Sequence, residues 1–173
     1  MQATTILQCG HPLLRQPAQP VTDVGHPQVQ ALAEDLVRVC QDARGVGLAA
    51  PQVGVPWQMI VVASRPNPRY PHAPLMEPLV MINPEIVAMD GEPVWGWEGC
   101  LSVPNQRGLV ARVPWVQVRY VNVQGEEMTQ EFSDFVARIV QHEYDHLQGK
   151  LFLDRQPQRL LSEAEYQAQI VNA

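Results

Sequence analysis

Two histidines four residues apart, His142 and His146, flank Glu143 in the stretch QHEYDHLQG. On a helix, positions four apart share a face, so both imidazoles can hold one metal ion. A glutamate beside the first histidine can carry protons for a metal-activated water. At about 100° per residue, Phe135, Ile139, His142 and His146 form one stripe, and Val136, Val140, Glu143 and Leu147 form the next. The early turns are apolar and the late turns polar, as in a buried helix with one polar spot. The plain alternative is two hydrogen-bonded core histidines. Burying two imidazoles and a carboxylate in register without a partner is costly, so a metal is expected. Asp145 is a candidate to orient one imidazole, with a solvated surface charge as its plain alternative.

Such a site normally takes three protein ligands and keeps one position open. The HExxHxxGxxH continuation does not supply the third, because Gly149 fits but Phe152 stands where a histidine is needed. Glu163 and Glu165 lie in a polar tail and read better as a solvated helix face. Cys100, in EGCLS, is the remaining soft donor, and Gly99 beside it permits close backbone approach. Cys40 falls at a core position of a predicted helix and Cys9 in an N-terminal loop, and both read as buried thiols rather than ligands. A Cys-His-His set with an open position suits iron(II) as well as zinc.

These residues need elements to hold them. HPQVQALAEDLVRVCQDAR reads as a helix, with Val29, Leu32, Leu36, Val39 and Cys40 at helical spacing. GVGLAAPQVGVP reads as a glycine-rich loop, QMIVVAS and LVMINPEIV as strands, and RPNPRYPHAPLMEP as a proline-rich surface loop. MDGEPVWGWEGCLSVPNQRG is expected to be mostly loop and turn. LVARVPWVQVRYVNVQGEEMTQEF reads as two strands joined at Gln124-Gly125. Ser133 or Asp134 is placed to cap the metal helix and Gly149 to end it. SEAEYQAQIVN predicts a short final helix. Strands with two main helices make the class α+β.

Composition fits this reading. The 173 residues suit a single catalytic domain over 1–173, and 46% hydrophobic with 17% charged residues is globular rather than disordered. A net charge of -6 gives no reason to expect direct nucleic-acid binding. No apolar run is long enough to span a membrane, and MQATTILQCG lacks the basic and apolar regions of a secretory signal. A cytoplasmic location is expected. Three cysteines are an odd number, which argues against a disulfide framework.

GVGLAAPQ (45–52), EGCLS (98–102) and QHEYDH (141–146), in this order and spacing, resemble the three signature motifs of the peptide deformylases. ILQCGHPLLRQPAQPV, INPEI and LVAR agree in the flanks, so the resemblance spans roughly residues 5 to 155. It implies mixed or antiparallel sheets packed around a central buried helix carrying HExxH. It also implies a hydrolase that removes the formyl group from the N-terminal formylmethionine of nascent polypeptides. The family uses one divalent ion, typically iron(II), with zinc(II), nickel(II) and cobalt(II) as the other candidates. Carried onto this chain, Cys100, His142 and His146 are the ligands and Glu143 is the general base and then the acid. Gln52 and the backbone N–H of Leu101 stabilise the oxyanion. Val46, Gly47, Glu98, Gly99, Arg107, Phe135 and Ile139 contact substrate, with Phe135 and Ile139 lining the methionine pocket. Arg112 is expected to pair with Asp145.

The chain also departs from its relatives. Asp134 stands where many carry glycine, and Gly96 and Trp97 precede the second motif. The tail after Asp154 has two arginines against two glutamates. Relatives that dock on the ribosome carry a longer basic C-terminal helix, so even transient ribosome association by that route is doubtful. Two other classes stand beside this one. An HExxH endopeptidase would use Glu163 or Glu165 as third ligand. A non-catalytic binder of metal or formylated peptide is disfavoured by the presence of Glu143, Gln52 and all three ligands.

Overall fold

The computed structural model describes residues 5–173; residues 1–4, part of the segment read for a secretory signal, lie outside the described residues. Two antiparallel sheets and two long helices carry the architecture. The first sheet has five strands in the order β1 (Gly47–Ala49), β2 (Met59–Val62), β3 (Leu79–Asp90), β6 (Trp115–Val121), β7 (Glu127–Ser133). The second has three, in the order β4 (Val94–Cys100), β5 (Val103–Arg112), β8 (Arg159–Ser162). Helix α1 spans Pro27–Asp42, α2 spans Asp134–Leu147, and the short α3 spans Glu163–Tyr166.

β2 shows why the first sheet sits between the two long helices. All four of its residues are fully buried, and successive side chains point to opposite faces. Met59 and Val61 pack with Leu32, Leu36, Val39 and Cys40 of α1. Ile60 and Val62 pack with Ala137, Ile139, Val140 and Leu147 of α2. Each such aliphatic side chain contributes about 1.5–3 kcal/mol when taken out of water. An apolar run of four therefore serves two cores, and α2 is a central buried helix as expected.

α2 starts from Ser133 at the cap position, but the Ser133 side chain makes no capping bond. Asp134 holds a left-handed φ of 52°, a conformation glycine adopts most easily. Gly149, with φ 70°, ends the helix as expected.

Three expectations fail. The stretch expected to be mostly loop instead contains β4 and the start of β5, a hairpin paired from Val94–Arg112 to Cys100–Val103. Gly96 and Gly99 hide it, because glycine lowers strand propensity. A Cβ at Gly99 would collide with the Arg107 guanidinium, so the strand needs glycine there. GVGLAAPQ is also more than loop, since Gly47–Ala49 pairs with β2 before a 3-10 turn at Ala50–Val53. Three residues are too few to show a period. LVAR joins β5 in the second sheet, and the chain crosses at Val113-Pro114 to begin β6. β6 and β7 are the two strands expected around Gln124-Gly125. At the C-terminus, β8 adds to β5 before α3, and a π-type turn follows at Gln167–Val171.

Candidate metal centre and active site

Side chains of α2 and β4 meet, and that meeting builds the site. β4 ends at Cys100, while the last two turns of α2 carry His142, Glu143 and His146. One ligand atom from each of Cys100, His142 and His146 lies within 4.8 Å of the others. Cys100 Sγ is 3.3 Å from His146 Nε2. A tetrahedral ion with bonds of about 2.1–2.3 Å to nitrogen and sulfur fits donors this close. The donor set also fits, being one cysteine sulfur and two imidazoles with no carboxylate. Glu143 Oε2 is buried beside this cluster and has no hydrogen-bond partner among the described residues, a costly state for a carboxylate. Glu163 and Glu165 are engaged elsewhere: Glu163 binds Arg107 at 2.7 Å, and Glu165 accepts from the Ser162 hydroxyl and backbone N–H.

His142 is held from behind, whereas His146 Nδ1 is buried with no hydrogen-bond partner among the described residues. His142 Nδ1 is 2.8 Å from Glu98 Oε2. A proton shared there leaves the Nε2 lone pair free for an ion. This corrects the expectation that Asp145 orients an imidazole. Asp145 instead accepts from Arg112 at 2.6 Å and from Arg155. Arg112 bridges the two acids, donating to Glu98 at 2.8 and 3.0 Å. The Arg112–Asp145 pair read from the sequence is present, and Glu98 is the group it also supports. Burial pushes the Glu98 carboxyl up, but hydrogen bonds from His142 and Arg112 hold it well below the usual carboxylate range. Burial of Glu143, only partly opposed by His142, pushes that carboxyl up to about 7.

In front of the cluster lies one cavity. It is lined by Val46, Gly47, Gln52, Glu98, Gly99, Cys100, Leu101, Arg107, Phe135, Ile139, His142 and Glu143, so the expected site residues converge. Only His146 lies behind the lining, 1% exposed. Gly47 admits no side chain, because a Cβ would meet Glu143 Oε1 and lie 2.8 Å from Ile139 Cγ2. Gln52 is fixed at both ends of its amide. Its Oε1 accepts from the Ala49 N–H at 2.8 Å, and its Nε2 donates to Ser102 Oγ at 3.1 Å and lies 3.6 Å from Cys100 Sγ.

Several lining residues were not anticipated. Tyr70, from the proline-rich loop, accepts from the Gly99 N–H and from Arg107, and its ring packs on Phe135. Arg44, Arg69 and Arg138 also line the wall, beside Trp97, which the sequence marks just before the second motif. Proline and turn residues gave that loop the look of plain surface, and nothing in its local pattern marks Tyr70. Cys40 is fully buried as expected, whereas Cys9 is exposed, so the expectation of a buried thiol is wrong there. Cys9 sits in the N-terminal loop, where only its backbone N–H is engaged, by Ser102.

A buried helix bearing two histidines and a glutamate, completed by a strand cysteine under an open cavity, defines a metal-dependent hydrolase. The comparisons with known proteins make the class specific. The family model described as polypeptide deformylase matches residues 3–160. Peptide deformylase 2 of Nostoc sp. is 52% identical over 164 residues, covering 94% of this chain and 92% of the relative. Peptide deformylase 2 of Shewanella oneidensis is 48% identical over 146 residues, covering 84% and 80%. The class I type b peptide deformylase of Acinetobacter baumannii, solved with Met-Ala-Ser bound, superposes with a TM-score of 0.86 at 45% identity, over 90% of this chain and 99% of that one. The chain belongs to the polypeptide deformylase family. It is an enzyme that removes the formyl group from N-terminal formylmethionine.

Proposed function

We propose that the whole chain acts as one catalytic domain on N-formylmethionyl peptides in the cytoplasm, with iron(II) as its working ion. Cys100, His142 and His146 would hold that ion. When bound, the ion supplies positive charge and a water of lowered pKa. Glu143 takes the proton of the attacking water on its carboxylate and passes it to the leaving amine. Its carboxyl near 7 suits both halves of that task. The Nε2–H of Gln52 and the N–H of Leu101 receive the negative charge that develops on the formyl oxygen.

Phe135 and Ile139, with Val46, take the methionine side chain into an apolar pocket. Gly47 and Gly99 leave room for an extended substrate backbone between two strands. Glu98 and Arg107 hold the walls, through His142 and Tyr70 respectively. The observation that carries the reading is the convergence of the thiol, the His142 imidazole and an unpartnered Glu143 oxygen on one cavity, with His146 completing the donor set just behind it. The Met-Ala-Ser found in the Acinetobacter baumannii enzyme supports a peptide of this length as ligand.

The test is amine release from formyl-Met-Ala-Ser by iron(II)- or nickel(II)-loaded protein, beside an acetylated peptide of the same sequence and an unblocked longer one. Release from the formyl peptide alone is expected. Cleavage inside the longer peptide instead would mean an endopeptidase, and no release by folded, metallated protein would sink the reading.

A further inference from the structure

Four arginines line the catalytic cavity: Arg44, Arg69, Arg107 and Arg138. Two are already engaged. Arg107 is tied to Glu163 at 2.7 Å and to Tyr70 at 2.8 Å. Arg138 is tied to Glu98 at 3.0 Å and to the carbonyls of Val110 and Val94. The other two differ. Among the described residues, neither Arg44 nor Arg69 has a carboxylate within 4.0 Å. This is in a chain of net charge -6, where carboxylates are in excess.

Each guanidinium is carried on a backbone that is set in place. Arg44 holds a φ of 53°, at the end of α1, where glycine would sit with less strain. The bonds from the Gly45 N–H to the Cys40 carbonyl and from the Arg44 N–H to the Gln41 carbonyl make this a Schellman helix end, which fixes where Arg44 leaves the chain. The Arg69 N–H donates to Asn67 Oδ1 at 2.9 Å, and its carbonyl accepts from Tyr166 at 3.0 Å. Arg69 borders both the catalytic cavity and two grooves that open from it. Glu163, on one of those grooves, is already engaged by Arg107 and Gln167.

Chain length then bounds the reach of Arg44. Gly47 abuts Glu143, and Arg44 is three residues before it, a span of at most about 10 Å. In an extended peptide whose formyl carbon faces Glu143, that length reaches the second and third residues. We infer that Arg44 and Arg69 are specificity-determining residues that favour formylated peptides carrying Asp or Glu at the second or third position. This inference rests on the deformylase reading above and adds a side-chain preference to it.

The test compares kcat/KM for formyl-Met-Ala-Asp, formyl-Met-Ala-Ser and formyl-Met-Ala-Lys, all amidated at the C-terminus, together with the matching set varied at the second residue. Exposed charge pairs are weak, so the expected Asp-over-Lys ratio is about fivefold at low salt, shrinking as salt rises. It should reside in KM rather than kcat. Arg44→Ala with Arg69→Ala should bring the ratio to about one, and Arg69→Glu should turn the preference toward lysine, which misfolding cannot do. A ratio at or below one in the unaltered protein, or an undiminished ratio in the double variant, overturns the inference. Turnover of all peptides without charge preference defeats this inference alone, whereas no turnover of any peptide by metallated protein defeats the deformylase reading with it.

Discussion

Behind the metal cluster every charge is committed; in front of it several are not. The rear holds Arg112, Glu98 and Asp145, all at most 5% exposed and joined by hydrogen bonds of 2.6–3.0 Å. Among the described residues, the front holds Glu143 Oε2 without a hydrogen-bond partner and Arg44 and Arg69 without a carboxylate within 4.0 Å. Buried ions cost several kcal/mol each unless paired. The rear therefore has one arrangement, which keeps the His142 imidazole in place. The front keeps reactive and selective groups available to a substrate. Changes at the rear should affect stability and metal affinity, and changes at the front should affect turnover.

Glu143→Gln should give the largest effect and sharpen this division most. Steady-state amine release should fall by roughly 10²–10⁴-fold, as for loss of a general base. Metal content should stay at one ion, and denaturant unfolding should show no loss of stability, because the carboxylate is desolvated and unpartnered. A large drop in stability would place Glu143 with the rear network instead. Arg112→Ala should do the reverse. It leaves Glu98 and Asp145 buried without their shared cation, so urea unfolding should show a loss of about 3–5 kcal/mol. An effect under about 1 kcal/mol would mean the network is not the support described.

Glu98→Gln keeps the shape and removes the charge behind His142. Competition with a chelator should show metal affinity lower by about 10–100-fold. Unchanged affinity would break the link between Glu98 and the imidazole. The smallest effect is expected far from both regions. Arg119 and Glu85 form an ion pair with side chains 58% and 56% exposed. Arg119→Ala should shift stability by less than about 1 kcal/mol and leave kcat/KM unchanged. A larger shift would show that charge pairing in this protein does not divide by burial.

Much of this was legible in the residues, and the exceptions share a cause. The stripe of α2 encodes its own burial, and the HExxH spacing encodes two ligands, because both are local patterns. β6, β7 and α1 are legible for the same reason. The partner of His142 is not. Asp145 is the near acid in sequence, but it lies on a different side of the helix and turns to Arg112 and Arg155. Glu98 arrives from 44 residues away on β4, a strand whose glycines hid it. Gly99 is present because Arg107 crosses that face, a constraint set by a neighbouring strand. Tyr70 was missed because its loop shows only proline and turn residues. Pairings across the fold escape local periodicity, and the wall of a cavity is made largely of such pairings.

The central claim is that a strand thiolate completes the helix-borne metal site. Titration with nickel(II) or iron(II), read as bound ion per chain and amine release in the same samples, tests it in the unaltered protein and in Cys100→Ala. The account predicts one ion and full turnover in the first, and in the second a folded chain with neither. A Cys100→Ala protein that still binds one ion tightly and still deformylates would contradict it.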